Sequence, residues 1–208
     1  MTKDNLRTSQ TLQVDVKALL ASEANRLVFA RDGNAGALYY TNHLTVNLPA
    51  GQVKALDQGI LLTRRYYALT DLKTPITQAS LGQELQVPLT IVAPAGLSYV
   101  VVNDPLPAGL EAVDTSLKSS PTNDIPPDYD WARIGQDGWG WWYFPHAELR
   151  DEKLVLSANY LPGGTYTYTY RVRAMTSGVF QVIPPTAQEF YFPEVYGRGD
   201  GSVFTVKP

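Results

Sequence analysis

At residues 165–174 the chain alternates without a break. Tyr166, Tyr168, Tyr170, Val172 and Ala174 occupy one side of the pattern, and Thr165, Thr167, Thr169, Arg171 and Arg173 the other. A period of two is what a strand with one dry face and one wet face requires, because successive side chains of an extended backbone point to opposite sides. A helix would scatter the same tyrosines around its circumference. Residues 84–91 repeat the pattern in the opposite phase, with Leu85, Val87, Leu89 and Ile91 inward. Residues 38–48 do so again, with Leu38, Tyr40, Asn42, Leu44, Val46 and Leu48 inward and His43 on the wet face.

Turn chemistry separates these runs. Asp32-Gly33-Asn34 and Pro162-Gly163-Gly164 are expected hairpins, since glycine and asparagine accept the positive φ of tight turns. Asp104-Pro105-Leu106-Pro107 ends a strand, because proline donates no ladder hydrogen bond and restricts the residue before it. No stretch of ten residues carries a 3.6 period; at most, residues 186–190 make one helical turn after Pro184-Pro185. The 15 prolines, 16 glycines and 13 tyrosines agree with short strands and many turns. The expected fold is all-β, an antiparallel β-sandwich with a smaller β segment packed beside it. Residues 49–59 read as a connector, which divides the chain into 1–60 and 61–208. The first piece holds three or four strands and buries too little surface to stand alone. It packs on the second piece, through Leu38, Tyr40, Leu44 and Val46, or pairs with another chain, or is part of a divided domain.

Charge and composition remove several kinds of chemistry. Seventeen basic and 20 acidic residues give a net charge of −3, and the basic residues are scattered, so no cationic groove for nucleic acid is expected. The longest apolar run, around Val100 to Val102, is far below the ~20 residues of a spanning helix, and no membrane contact is expected. The first seven residues lack the apolar region of a signal peptide. There is no cysteine, hence no disulfide, thiolate nucleophile or cysteine metal ligand. Only His43 and His146 could serve as an imidazole base, and no Gly-x-Ser-x-Gly elbow is present. His146-Ala-Glu148-Leu-Arg150-Asp151 matches no zinc spacing and reads as an ion-pair cluster between strands. Asp128, Asp130 and Asp137 are carboxylates of the kind glycosidases pair, but nothing fixes their separation. With no glycine-rich phosphate cradle either, neither an enzyme nor a cofactor or metal site is expected.

Residues 119–142 form a long Pro-, Asp-, Gly- and Trp-rich loop holding all four tryptophans. Tyr129, Trp131, Trp139, Trp141 and Trp142 either form an aromatic platform for a sugar or peptide, or fold back to close one end of the core. Arg198-Gly199-Asp200 spells an adhesion tripeptide, but before the alternating Val203 and Thr205 it reads as a hairpin tip.

Several blocks taken in order resemble the carboxy-terminal region of bacterial α2-macroglobulin-like proteins. They are Val102-Asn-Asp-Pro-Leu-Pro-Ala-Gly-Leu-Glu-Ala-Val113, His146-Ala-Glu-Leu-Arg-Asp-Glu-Lys153 and Gly164-Thr-Tyr-Thr-Tyr-Thr-Tyr-Arg-Val-Arg-Ala174, followed by Gly178-Val-Phe180, Pro184-Pro185-Thr-Ala-Gln-Glu-Phe-Tyr191 and Pro193-Glu-Val-Tyr-Gly-Arg198. Upstream, Gly36-Ala-Leu-Tyr-Tyr40 and Asp57-Gln-Gly59 through Arg64-Arg65-Tyr66 look like the end of a CUB-like β-domain. The resemblance implies a macroglobulin-like or immunoglobulin-like sandwich in a large periplasmic or cell-surface inhibitor that traps target peptidases. Its partners would be the thioester and neighbouring domains of the same parent chain. Phe190 and Tyr191 stand where the family places a large apolar residue followed by tyrosine, so they are the candidates for shielding the thioester; equally, both rings could plug the sandwich. The thioester needs a cysteine, which this chain lacks, so the thioester domain lies elsewhere in the parent, or the parent is a member without a thioester. Two other readings stand beside this one. Asn103-Asp-Pro-Leu-Pro-Ala-Gly-Leu110 also resembles the strand-end motif of adhesin stalks, and the tryptophan loop would suit a carbohydrate-binding module.

Overall fold

The structure, a computed structural model, describes residues 14–15, 19, 25–28, 47–113 and 144–208. The chain forms two compact units, Met1–Thr45 and Val46–Pro208, and the architecture that follows is that of the second. The turn at Asp32-Gly33-Asn34, His43, and the packing positions Leu38, Tyr40, Leu44 and Val46 lie outside the described residues. The end of the strand expected at 38–48 is described and differs: residues 47–49 are not in a strand and Leu48 is exposed. Here the chain is already turning, because Pro49 leads into a 3₁₀ turn at Ala50–Gln52 in which Gln52 N donates to Pro49 O at 2.9 Å.

Fourteen strands follow among the described residues. In chain order they are β1 (Leu56–Gln58), β2 (Leu61–Arg64), β3 (Tyr67–Ala68), β4 (Gln78–Ser80), β5 (Glu84–Ala93), β6 (Leu97–Pro105) and β7 (Leu110–Ala112), then β8 (His146–Leu149), β9 (Lys153–Leu161), β10 (Gly164–Ala174), β11 (Gly178–Val182), β12 (Thr186–Glu189), β13 (Tyr196–Arg198) and β14 (Ser202–Lys207). One sheet has the order β1-β13-β12-β6-β9-β8; a second runs β2-β5-β10-β7, with β3 also paired to β5; a third is β11-β14-β4. All pairings between strands are antiparallel except β14 with β4. The fold is thus the all-β antiparallel sandwich that the alternation requires.

The core follows from that alternation. Leu85, Val87, Leu89 and Ile91 of β5 are fully buried, and β10 sets Tyr166, Tyr170, Val172 and Ala174 against them in the same interior. Val100 and Val102 of β6 and Leu154 and Leu156 of β9 enter the same cluster from the other sheet, and Phe204 and Val206 of β14 from the third. Pro88 sits mid-strand in β5, where a proline normally breaks a ladder. Its carbonyl accepts a long bond from Arg65 N (3.4 Å), so the side lacking an N–H is turned towards the gap between β2 and β3.

Two expectations need correction. Pro162-Gly163-Gly164 is not a hairpin: β9 pairs with β6 and β8, β10 pairs with β5 and β7, and the turn carries the chain from one sheet to the other. A Cβ on Gly163 would lie 3.3 Å from Ala95 Cα, in the β5–β6 crossing, so glycine is needed for that close approach. Residues 186–190 are not a helical turn either. Thr186 to Glu189 form β12, held between β6 and β13, and pairing on both edges outweighs the weak strand preference of Gln-Glu. Residues of the expected connector are hydrogen-bonded to the sandwich. Ala50 N donates to Gln181 Oε1 (3.0 Å), Gly201 N to Val53 O (2.9 Å), and β1 pairs with β13.

Candidate functional site

The β12–β13 link carries an exposed aromatic edge. At the end of β12 the Glu189 side chain turns inward, and its Oε1 accepts a hydrogen bond from Ser98 N. Phe190 N donates to Tyr99 O at 2.9 Å, and Val195 N closes a turn onto Phe192 O at 2.9 Å. The backbone of Phe190-Tyr191-Phe192 is therefore tied at both ends while its side chains face outward. Phe190 is 62% exposed and Tyr191 65%. The reading in which both rings plug the sandwich does not fit this exposure.

Tyr99 completes the edge. Its ring meets that of Tyr191 edge-on, with centroids 5.1 Å apart and planes at 89°, and Tyr191 meets Phe190 in the same way at 5.2 Å and 86°. Tyr191 is thus the middle ring of three. Tyr99 itself is 50% exposed and has φ of 53°, the left-handed region that a bulky non-glycine residue rarely occupies. The backbone there breaks the phase of two strands. In β6, Leu97 is buried, Ser98 and Tyr99 are exposed, and Val100 is buried; in β9, Ala158 is buried, Asn159 and Tyr160 are exposed, and Leu161 is buried. A regular strand cannot read in-out-out-in, and in β6 the left-handed Tyr99 supplies the missing rotation. Tyr160 then lies over Gly96, where a Cβ would sit 2.5 Å from its hydroxyl.

The interior holds a second polar arrangement. Arg64 Nη1 bonds Asp104 Oδ1 and Pro105 O (2.8 Å), and Nη2 reaches Ile183 O (2.7 Å). Tyr170 Oη donates to Asp104 Oδ2 at 2.8 Å, and the guanidinium lies 5.6 Å from the centre of the Tyr66 ring. Burial pushes the Tyr66 and Tyr170 phenols well above the ordinary range. Burial also pushes the Asp104 carboxyl up, against the charge of Arg64 and the Tyr170 hydrogen bond. Tyr66 Oη has no hydrogen-bond partner among the described residues. Asp104 and Arg64 are closed off from solvent, so this group joins the sheets rather than meeting a ligand.

The other candidates fall elsewhere. Tyr129, Trp131, Trp139, Trp141 and Trp142 lie outside the described residues, as do Asp128, Asp130 and Asp137. Glu148 at the end of β8 and Arg150 just after it pair at 2.9 Å on the surface, two residues apart on one stretch of chain rather than between strands as expected, and that bond holds the Glu148 carboxyl below its usual range. No group of three His, Cys, Asp or Glu side chains among the described residues could hold a metal ion. Arg198-Gly199-Asp200 is a crossing between sheets, not a hairpin tip. Its charged side chains are engaged, Arg198 with Lys54 O (3.0 and 3.2 Å) and Asp200 Oδ1 with Ala55 N (3.0 Å). Tyr99 and Tyr160 escaped the sequence reading; their signal is the three-residue step from Leu97 to Val100 and from Ala158 to Leu161.

Comparison with known proteins gives one consistent result. Residues 59–194 match the family described as the bacterial alpha-2-macroglobulin MG10 domain. The chain is 31% identical over 157 residues to an alpha-2-macroglobulin homolog from Nostoc sp., covering 76% of this chain and 7% of that protein. It is 26% identical over 208 residues to a homolog from Yersinia pestis, covering 93% of this chain and 10% of that protein. The chain therefore spans a tenth or less of the length of these relatives. In fold it is similar to trypsin-activated alpha-2-macroglobulin from Escherichia coli (TM-score 0.62, 22% identity, 75% of this chain and 11% of that one). It is likewise similar to Salmonella alpha-2-macroglobulin reacted with methylamine (TM-score 0.58, 23% identity, 75% of this chain and 10% of that one).

Proposed function

The chain belongs to the bacterial alpha-2-macroglobulin family through its MG10 domain, and from that premise we propose that it is a docking module whose Phe190–Tyr191 edge packs on the thioester domain of the same parent chain and keeps water from the thioester. The observation that carries this reading is the exposure of Phe190 and Tyr191 on a backbone segment tied at both ends, with the exposed Tyr99 ring beside them. Aromatic side chains left open in a cluster mark a surface awaiting a partner, and rings fixed before contact lose little entropy on binding. The partner is sought within the parent because most of the length of the relatives lies outside this chain. The domain acts by contact and not by catalysis.

In the same reading, residues 1–60 continue a CUB-like β segment and residues 61–208 are the final sandwich. The parent is a peptidase inhibitor of the periplasm or cell surface, and target peptidases meet the parent rather than this domain. The test is binding of the isolated thioester domain of the parent to the 208-residue chain. The wild type is expected to bind and Tyr191→Ser to weaken binding about tenfold or more, the loss of one anchor side chain. Equal binding by both would overturn the proposal.

A further inference from the structure

We infer that Tyr99 is a positioning residue for Tyr191, holding that ring in the orientation in which it meets its partner; this rests on the docking reading above. Three observations on different atoms converge on it. The Tyr99 ring packs edge-on against Tyr191 at 5.1 Å, its carbonyl accepts the Phe190 N–H at 2.9 Å, and its φ of 53° is the break that turns the ring to the outer face. A bulky residue in that conformation is strained, and such strain persists only where surrounding contacts over-determine it. Those contacts are present: Ser98 N is bonded to Glu189, and Val100 on the other side is paired with both Glu189 and Ala158. Ordinary strand packing would be met by a residue with negative φ and a side chain facing the core. What the left-handed residue adds is an aromatic ring on the outside, against Tyr191.

The mechanism is one of pre-organisation. Tyr191 is 65% exposed and, without a neighbour, free to rotate about its Cα–Cβ bond. The edge-on contacts with Tyr99 and with Phe190 restrict that rotation. Fixing the ring before contact removes part of the entropy lost on docking.

The experiment uses the full 208-residue chain with Tyr99→Gly and Tyr99→Phe. Glycine accepts the left-handed backbone without strain, so the first variant folds while losing the ring; the second keeps the ring and loses only the hydroxyl. By NMR, wild type and Tyr99→Phe are expected to show inter-ring contacts between positions 99 and 191 and one Tyr191 rotamer, and Tyr99→Gly averaged rotamers. Tyr191 locked in one rotamer in Tyr99→Gly overturns the inference. In the binding assay with the thioester domain, Tyr99→Gly is expected to weaken binding about three- to tenfold, the range for immobilising one free side chain, with Tyr99→Phe close to wild type. If Tyr191→Ser weakens binding and Tyr99→Gly does not, the positioning role fails while docking stands. If Tyr191→Ser itself binds as wild type, the docking reading fails.

Discussion

Tyr170 donates its hydroxyl to Asp104 across 2.8 Å inside the sandwich, joining β10 of one sheet to β6 of the other. The other oxygen of the same carboxylate bonds Arg64 of β2, and Arg64 extends to Ile183 O, in the β11–β12 link. One buried group thus spans two sheets and reaches the segment leading to the aromatic edge. Breaking it from one side leaves a charge without its partner. Arg64→Met is expected to cost about 3–5 kcal/mol, and Tyr170→Phe about 1–3 kcal/mol. Adding Asp104→Leu to Arg64→Met is expected to recover most of the loss, because the uncompensated carboxyl is then gone. Urea unfolding of the single and double variants checks both.

Alkaline pH provides a separate handle on the same cluster. Burial holds the Tyr66 and Tyr170 phenols above the ordinary range, whereas in the unfolded chain they ionise near pH ~10. Their contribution to stability is therefore complete below that pH and is lost progressively above it. Absorbance at the tyrosinate band is expected to show a late step that coincides with loss of near-ultraviolet circular dichroism. The late step is expected to shrink in the Tyr66→Phe and Tyr170→Phe chains.

Gly197 and Gly51 offer a contrast between two glycines of one domain. A Cβ at Gly197 would lie 2.2 Å from Ile60 O, and at Gly51 only 3.8 Å from the end of the Val203 side chain. Gly197→Ala is expected to destabilise by about 1–3 kcal/mol, lowering Tm by several degrees, and Gly51→Ala by less than about 0.5 kcal/mol. Thermal melts of the two variants make the comparison.

Phe190 and Tyr191 are expected to contribute almost nothing to the stability of the isolated chain. Their rings are mostly open to water, so Phe190→Ser and Tyr191→Ser are each expected to change unfolding free energy by less than about 0.5 kcal/mol. A buried aromatic would cost about 3–5 kcal/mol on truncation to alanine, so chemical unfolding separates an interface residue from a core plug.

The strands that one-sided burial defines were legible in the residues. β5 and β10 alternate in sequence as they do in space, because a strand with one dry face has to write its pattern into every second residue. Turns were legible as interruptions but not as crossings. Pro162-Gly163 states that the backbone bends; whether the next strand stays in the sheet or leaves it is set by tertiary pairing. The same holds for Arg198-Gly199-Asp200. β12 was misread because Thr-Ala-Gln-Glu has little strand character of its own, and its pairing with β6 and β13 supplies what propensity does not. Of the aromatic edge, Phe190 and Tyr191 are singled out by family resemblance rather than by periodicity. Tyr99 was missed because residue type does not encode a positive φ at a tyrosine; the paired three-residue steps in β6 and β9 are its only trace.

The most direct test of the docking account places a photo-crosslinker where Phe190 stands, with p-benzoyl-phenylalanine as the closest replacement, in the intact parent protein. Illumination of the resting molecule, followed by peptide mapping, is expected to join position 190 to the thioester domain. Crosslinks confined to the sandwich itself, or none above the level of an exposed control position such as Val179, would contradict the account.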